Sequence, residues 1–493
     1  MRTGQQVPAL AVIVIFCGLL AACGTQPRAP EPLSNDAATD RCLRFHEALG
    51  EEARAAGVID GAGGDIPGAP WLRSSRWLAA GERQEADYQA WLEGVLETGR
   101  EARLTELANL PGAARERLAE IAPEQDLQSS VLLCSRWLAS VMPDDKAARG
   151  RLHRAARVDD EYIAWHRVAG AYPLTRFGIL GGVGVWQGRV EATFTTGDAD
   201  GEAAIRYEPG TGDVPVAPER LRRAMAAAPR DGLGRLAAGR TLTDILFAAY
   251  APVIEIDEDA GYNRIGTPFR EGPETPNVQA DRPRVYTFMD HADFHGRVLP
   301  RLNYVFWFSS RPKDHLLDIL GGRLDGMTVR ITLAETGEPF HLETMHNCGC
   351  YHQHYLLAGA QARGDHGYAE RPLVLDGPAR PGQGERWVFR LEGGSHYVRG
   401  IGVAEPGQPH TPYALAPYRD LLTLEDDAGG RPSLFRPDGM VPGTFRDERV
   451  LFWVSGVPDP GAMRQHGRHA TAFVGRRHFD DPDLLERVIK PGD

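Results

Sequence analysis

The sequence predicts an α+β protein: an N-terminal helical domain followed by a mostly antiparallel β-rich domain, built as a sandwich or a partly open barrel. Three observations carry this. Apolar residues recur at helical spacing from about residue 36 to residue 170. From Ala251 onward the texture becomes short β-branched and aromatic runs separated by turn signals. The chain also holds 56 Gly and 36 Pro, a turn-rich composition. With 493 residues it has room for two or three domains, at about 100–200 residues each.

The first residues stand apart from the fold. Arg2 supplies a short positive region, and the apolar run LAVIVIFCGLL is too short to span a bilayer, so residues 1–22 read as a cleaved secretory signal. The motif Leu20-Ala21-Ala22-Cys23-Gly24 resembles the lipobox of bacterial lipoproteins. That resemblance covers residues 1–24 and is silent about the mature chain. It implies cleavage before Cys23, with diacylglycerol and an N-acyl chain such as palmitate on Cys23. Asp after the Cys favours inner-membrane retention in that family. Gly24 therefore implies the periplasmic face of the outer membrane. Several acyl chains anchor stably, at about 0.8 kcal/mol per buried CH2. Residues 23–35, rich in Pro and small polar residues, read as a tether.

Residues 36–175 form the expected helical domain, with Asp36 or Asp40 as possible N-caps of the first helix. Residues 176–245 form a mixed connecting segment. Within it GILGGVGVWQGRVEATFTT and EAAIRYEPG read as strands, and ERLRRAMAAA and TLTDILFAAY as helices. The boundary falls near 175 or near 245. Residues 246–493 form a β-rich, His-rich domain with strands at PVIEID, RVYTFMD, RLNYVFWFSS, GMTVRITLA, PFHLETMH, RPLVL, RWVFRL, HYVRGIGV and VLFWVSG. Leu324-Asp325-Gly326 and Thr336-Gly337-Glu338 read as turns between them.

Of the six cysteines, Cys17 leaves with the signal and Cys23 is taken by lipid. In an oxidising compartment Cys42 and Cys134, both in amphipathic helical sequence, pair as a disulfide. Cys348 and Cys350 then have three fates: a strained Cys-Gly-Cys ring, metal ligation, or two reduced thiols.

The net charge of −12 argues against a nucleic-acid partner, which needs a basic surface. No P-loop and no Gly-x-Ser-x-Gly elbow occurs, and GGVGVWQG lacks the dinucleotide fingerprint. Histidine use is lopsided: of 16 His, 13 lie from His291 onward. The stretch HLETMHNCGCYHQHYL, residues 341 to 356, concentrates them. His346, Cys348, Cys350, His352 and His354 lie two apart, so an unbroken strand would point all five to one side. One ion could not take all five, because the outermost pair would be about 26 Å apart. A turn at Asn347 to Gly349 would put His346 at the end of an incoming strand and His352 and His354 on an outgoing one. Imidazole and thiolate suit Zn, Cu or Fe. His291 and His295 from the alternating Asp290–His295 run could complete the set, with Asp293 or Glu343 as acid/base. Ser395-His396-Tyr397 and the basic run from Met463, carrying His466, His469 and His478, could converge on it.

The resulting expectation is an envelope-anchored lipoprotein with a transition-metal site in the β-rich domain, one that could serve a metal-dependent enzyme. One alternative is a non-enzymatic structural or partner-binding lipoprotein with a Cys348–Cys350 disulfide. Another is a metal-free hydrolase using an Asp–His or Cys–His pair.

Overall fold

In a computed structural model of the chain, which describes residues 36–80, 87–196, 203–210, 217–404, 407–424 and 431–492, the N-terminal periodicity forms helices. The signal, Cys23 and the tether lie outside the described residues. The main helices are α1 (Ala37–Ala55), α2 (Tyr88–Asn109) and α3 (Leu127–Ser140). Asp36 is the cap of α1: its carboxylate accepts from the backbone N–H groups of Ala38 and Thr39. Such a cap contributes about 1 kcal/mol. Phe45, Leu49, Trp91, Val95 and Leu138 bury one stripe of each helix in a common core with Trp71. The Cys42–Cys134 disulfide crosses from α1 to α3 and closes a sequence separation of 92 residues. A loop of that length stabilises by about 4 kcal/mol in the chain-entropy picture.

Three sequence expectations change here. GILGGVGVWQGRVEAT belongs to a helix, α4 (Tyr172–Thr193). Gly and Val bias the reading toward strand, and a short apolar run does not separate the two. The helix starts at Ala171, whose φ of 46 turns the chain, with Pro173 in the first turn. Its buried residues Ile179, Gln187 and Val190 follow helical spacing. VLFWVSG is likewise a short helix, Arg449–Phe452, followed by a 3-10 turn at Trp453–Ser455. The Glu448 carbonyl accepts from the Leu451 and Phe452 N–H groups, and Gly456 ends the run at φ 88. Leu324-Asp325-Gly326 is no turn. It lies inside the strand Gly322–Leu333, where Leu324 alone takes a positive φ of 48.

The remaining runs form strands β1 (Thr195–Thr196), β2 (Ile205–Pro209), β3 (Val253–Ile256), β4 (Arg284–Phe294), β5 (Arg297–Arg311), β6 (Gly322–Leu333), β7 (Pro339–His346), β8 (Gln353–Leu356), β9 (Leu373–Asp376), β10 (Trp387–Leu391), β11 (Val398–Val403) and β12 (Thr411–Pro417). They make one sheet in the order β9-β8-β7-β6-β5-β4-β12-β2-β3-β10-β11-β1. The long strands β4 to β8 pair antiparallel, while the β8–β9, β12–β4, β12–β2, β3–β10 and β11–β1 pairs are parallel. The sheet is nearly closed into a barrel. Leu375 of β9 and Ile401 of β11, from opposite ends of the strand order, accordingly share one core with Tyr304, Val329, Ile331 and Leu342.

The strands β5 to β8 are buried on both faces, and β4 is half-buried. Their inner face feeds that core. Their outer face is covered by the C-terminal segment, which packs Leu434, Phe435 and Val441 on Trp307 and Val305, and Leu484 and Val488 on Ala292 and Leu299. Between these two apolar patches the outer face is polar.

Candidate metal centre

Directly paired residues of neighbouring strands share a face. The register Asn303↔Arg330, Arg330↔Glu343 and Glu343↔His354 therefore lines up one polar row across β5, β6, β7 and β8. Asp290↔Arg301 and Thr332↔His341 extend it. Charge was visible in otherwise apolar strands, as Arg301 in RLNYVFWF and Arg330 in MTVRITL, but only the register reveals that it converges.

The 347–352 turn decides which histidines join. Gly349 takes φ 93, and a Cβ there would stand 2.4 Å from the Ala470 carbonyl oxygen, so the position requires glycine. The turn is tied by Gly349 N–H to the His346 carbonyl at 2.8 Å and by His346 N–H to the Cys350 carbonyl at 3.1 Å. Asn347 holds it to the sheet, accepting from Thr328 Oγ1 at 2.8 Å. Beyond the turn Thr344 pairs with Gln353, an even residue with an odd one. The parity of the outgoing strand is thereby inverted. His346 pairs with Met327 and points to the inner face. His354 pairs with Glu343 and points to the outer one.

At the centre of the outer row sits the carboxylate of Glu343. His352 Nε2 lies 2.9 Å from its Oε1, His354 Nδ1 3.6 Å from Oε1, and His341 Nδ1 3.7 Å from Oε2. All four residues are buried. Burial alone would raise the Glu343 carboxyl, but the His352 hydrogen bond and the Arg330 charge hold it well below its ordinary value. Burial lowers the His341 imidazole to about 4, and it lowers His352 and His354 as well. The set is thus a carboxylate with neutral imidazoles, the protonation a cation requires. Since the carboxylate can only accept, the His352 proton is on Nε2 and its Nδ1 lone pair is free. His341, Glu343 and His354 offer ligand atoms within 4.8 Å of one another, a group that could hold a metal ion. Among the described residues, both ring nitrogens of His341, both of His354 and Nδ1 of His352 find no hydrogen-bond partner.

Arg330 binds the row to its roof. It donates to Asn303 Oδ1 at 2.8 Å and to the Phe479 carbonyl at 2.6 Å, with its guanidinium 3.3 Å over the Phe479 ring. Arg301 grips Asp290 through two bonds of 2.9 Å. Beside the row, past His352, lies a cleft of about 360 Å³ lined by Trp186, Tyr351, Tyr397, Glu448 and Arg477.

The other expected ligands lie elsewhere. His346 stands 3.7 Å from Asp325 on the inner face, where Asp325 also meets His396 Nδ1 at 2.7 Å. Cys348 and Cys350 are free thiols, so the Cys-Gly-Cys ring is not formed. Cys348 packs in the apolar patch around Trp307, and Cys350 lines the cleft. The neighbouring Cys348 and burial push the Cys350 thiol well up, away from the thiolate that ligation or attack needs. His291 faces away from Asp290 and packs against Trp77, 5.9 Å between ring centroids. His295 takes φ 49 at the β4–β5 hairpin and gives its backbone N–H to Glu486. The Asp293 backbone is tied to the Pro482 carbonyl. Glu343 is present as the carboxylate hub. His341 lay in the same stretch but outside the even-numbered run, so its pairing with Thr332 was needed to place it.

No protein family, no curated protein and no solved structure matches this chain.

Proposed function

We propose that this chain is a lipid-anchored envelope metalloprotein that holds a transition metal at His341, Glu343 and His354, with the adjoining cleft as its ligand site. The observation that carries this is the set of five buried imidazole nitrogens without partners around one carboxylate. Buried polar atoms are rarely left unpaired, and here a cation satisfies several at once. Two imidazoles and a carboxylate, with no thiolate in reach, favour zinc or ferrous iron over copper. Ligand distances near 2.0–2.2 Å require the three donors to draw in slightly around the ion. His352 would hold the carboxylate by its Nε2–H and stand between metal and cleft. A metal there supplies Lewis acidity or an activated water to a ligand in the cleft. The outer-membrane location rests on the Leu-Ala-Ala-Cys motif and Gly24.

Metal analysis of the untagged protein tests this. The parent should carry about one ion per chain, as three-ligand sites do. Glu343→Gln combined with His354→Ala should carry none, and His346→Ala should be unchanged. A parent with no stoichiometric metal, before and after incubation with zinc or ferrous iron, ends the reading.

A second reading is favoured by the charges. Asp290 and Glu343 already balance Arg301 and Arg330, and Arg330 lies 3.9 Å from Glu343. In that case the row is a structural ion network of a partner-binding lipoprotein. Retention of full stability in the metal-free parent would favour it.

A further inference from the structure

Among the described residues, Ile121, Leu132, Leu133 and Trp137 are large apolar residues exposed on the N-terminal helices, and the other nine gather elsewhere. Leu174, Phe177 and Val185 stand out from α4, Val185 with 69% of its surface exposed. Trp165 and Val168 extend the same surface on the short preceding helix, Ala164–Ala169. Leu316 and Leu317 lie in the loop before β6, and Leu316 is fully exposed at 100%. Val450 and Leu451 occupy the helix Arg449–Phe452.

These elements adjoin. The Arg167 guanidinium donates to the Ser455 carbonyl, the Glu448 N–H to the Ile319 carbonyl, and Lys313 pairs with Asp447. Together they surround the cleft, whose walls include Val183, Val185, Ile319 and Phe452. A contiguous apolar patch around a cleft mouth marks an interaction surface.

We propose that this rim docks the protein onto a lipid bilayer, with the cleft opening toward the membrane. This rests on the lipid-anchored reading above. Three features select a bilayer. From Phe177 to Gly188 α4 carries no charged residue, and Arg176 and Arg189 bracket that stretch. Cations at the ends of an apolar face, with the exposed Trp165 beside it, are the pattern of an interfacial helix. No described helix is long and apolar enough to cross a membrane, α4 included. Finally, Cys23 stands 13 residues before the first described residue, Asp36. At about 3.5 Å per residue an acylated Cys23 keeps the fold within roughly 45 Å of the lipid.

The test uses the full chain on vesicles of phosphatidylethanolamine and phosphatidylglycerol carrying brominated acyl chains, which quench tryptophan at the acyl boundary. One variant carries Val185→Trp and another Glu274→Trp, on the hairpin of Thr267–Gly272 and Thr275–Gln279. The Val185→Trp signal should be quenched about twofold more than the Glu274→Trp signal, in line with shallow apolar burial. Adding Leu316→Ser and Leu317→Ser should remove most of that excess. Equal quenching at both positions, or none at 185, overturns the proposal. So does a protein dimer that hides Val185 from the lipid, an outcome the exposed Gly178 and Gly182 would favour. Mass analysis of Cys23 separates the two readings. An acylated chain without quenching at 185 fails this inference alone, and an unacylated chain fails the anchor, while its own quenching still decides the rim.

Discussion

Two buried carboxylates meet imidazoles on opposite faces of the same sheet, and they differ in how completely those imidazoles are served. On the inner face, His396 has an oxygen beside each ring nitrogen, Asp325 at 2.7 Å and the Asn263 side chain at 3.1 Å, and the neutral ring that burial favours donates to one of them. The Asn263 orientation is fixed, because the same oxygen accepts from Gly394 N–H and the amide nitrogen donates to the Glu258 carbonyl. Phe308 stacks on the ring at 3.8 Å. His346, the second imidazole beside Asp325, stands 3.7 Å from it, and its Nε2 finds no partner among the described residues. On the outer face Glu343 has one bonded imidazole, while His341 and His354 reach nothing with either nitrogen among the described residues. A satisfied Asp–His pair holds strands together. Five unpartnered imidazole nitrogens gather at Glu343 against one beside Asp325, and that difference separates a site from a structural cluster.

Four measurements sharpen or break this contrast. Chelation has the largest expected effect. If metal is held a thousandfold above its dissociation constant, removing it lowers unfolding free energy by about 4 kcal/mol. The same chelator should leave a His341→Ala, His354→Ala variant unmoved in denaturant titration, and a parent insensitive to chelator erases the contrast. Next is Asp325→Asn, which loosens the inner Asp–His pair and should cost about 3 kcal/mol. Its bound metal should match the parent's, and a loss of metal would mean the two faces are not independent.

The third concerns imidazoles that carry charge. Burial would lower His478, but the carboxylates of Asp160 and Asp481 outweigh it and raise the group to about 9. A raised folded value stabilises fully below the unfolded value of 6.5 and is lost as pH climbs toward 9. Stability should therefore fall by about 3 kcal/mol over that window, and His478→Gln should flatten it. His46 and His291 have the opposite sign: burial lowers both to about 3, so their contribution is lost as pH drops below 6.5. The smallest effect is Cys350→Ser, expected below about 1 kcal/mol with metal content unchanged. A fall in metal on that substitution would move the thiol into the site.

The helices and most strands were legible because their signals are local and periodic. The Cys42–Cys134 pair was legible because both thiols lie in amphipathic helical sequence of an N-terminal half that shares one core. The site was legible only in part. His352, His354 and Glu343 could be read as a cluster from their spacing, but the inversion of face at residues 347–352 depends on how the turn packs under Ala470, more than a hundred residues away. That inversion put His354 on the opposite face from His346. Asp290, Arg301 and Arg330 meet Glu343 through strand register, which no single segment encodes. The α4 helix defeated the reading for another reason. Its Gly and Val carry weak helix propensity, and tertiary placement prevailed.

The roof has a consequence in time. Phe479 and its neighbours close over the Glu343 row only when the last part of the chain has docked, binding Arg330 at 2.6 Å. Until then the imidazoles lie open to solvent. Once that part has docked, the cleft beside His352 is the approach left to the row, so loading and chelation of the folded protein should run at a rate that the cleft residues set.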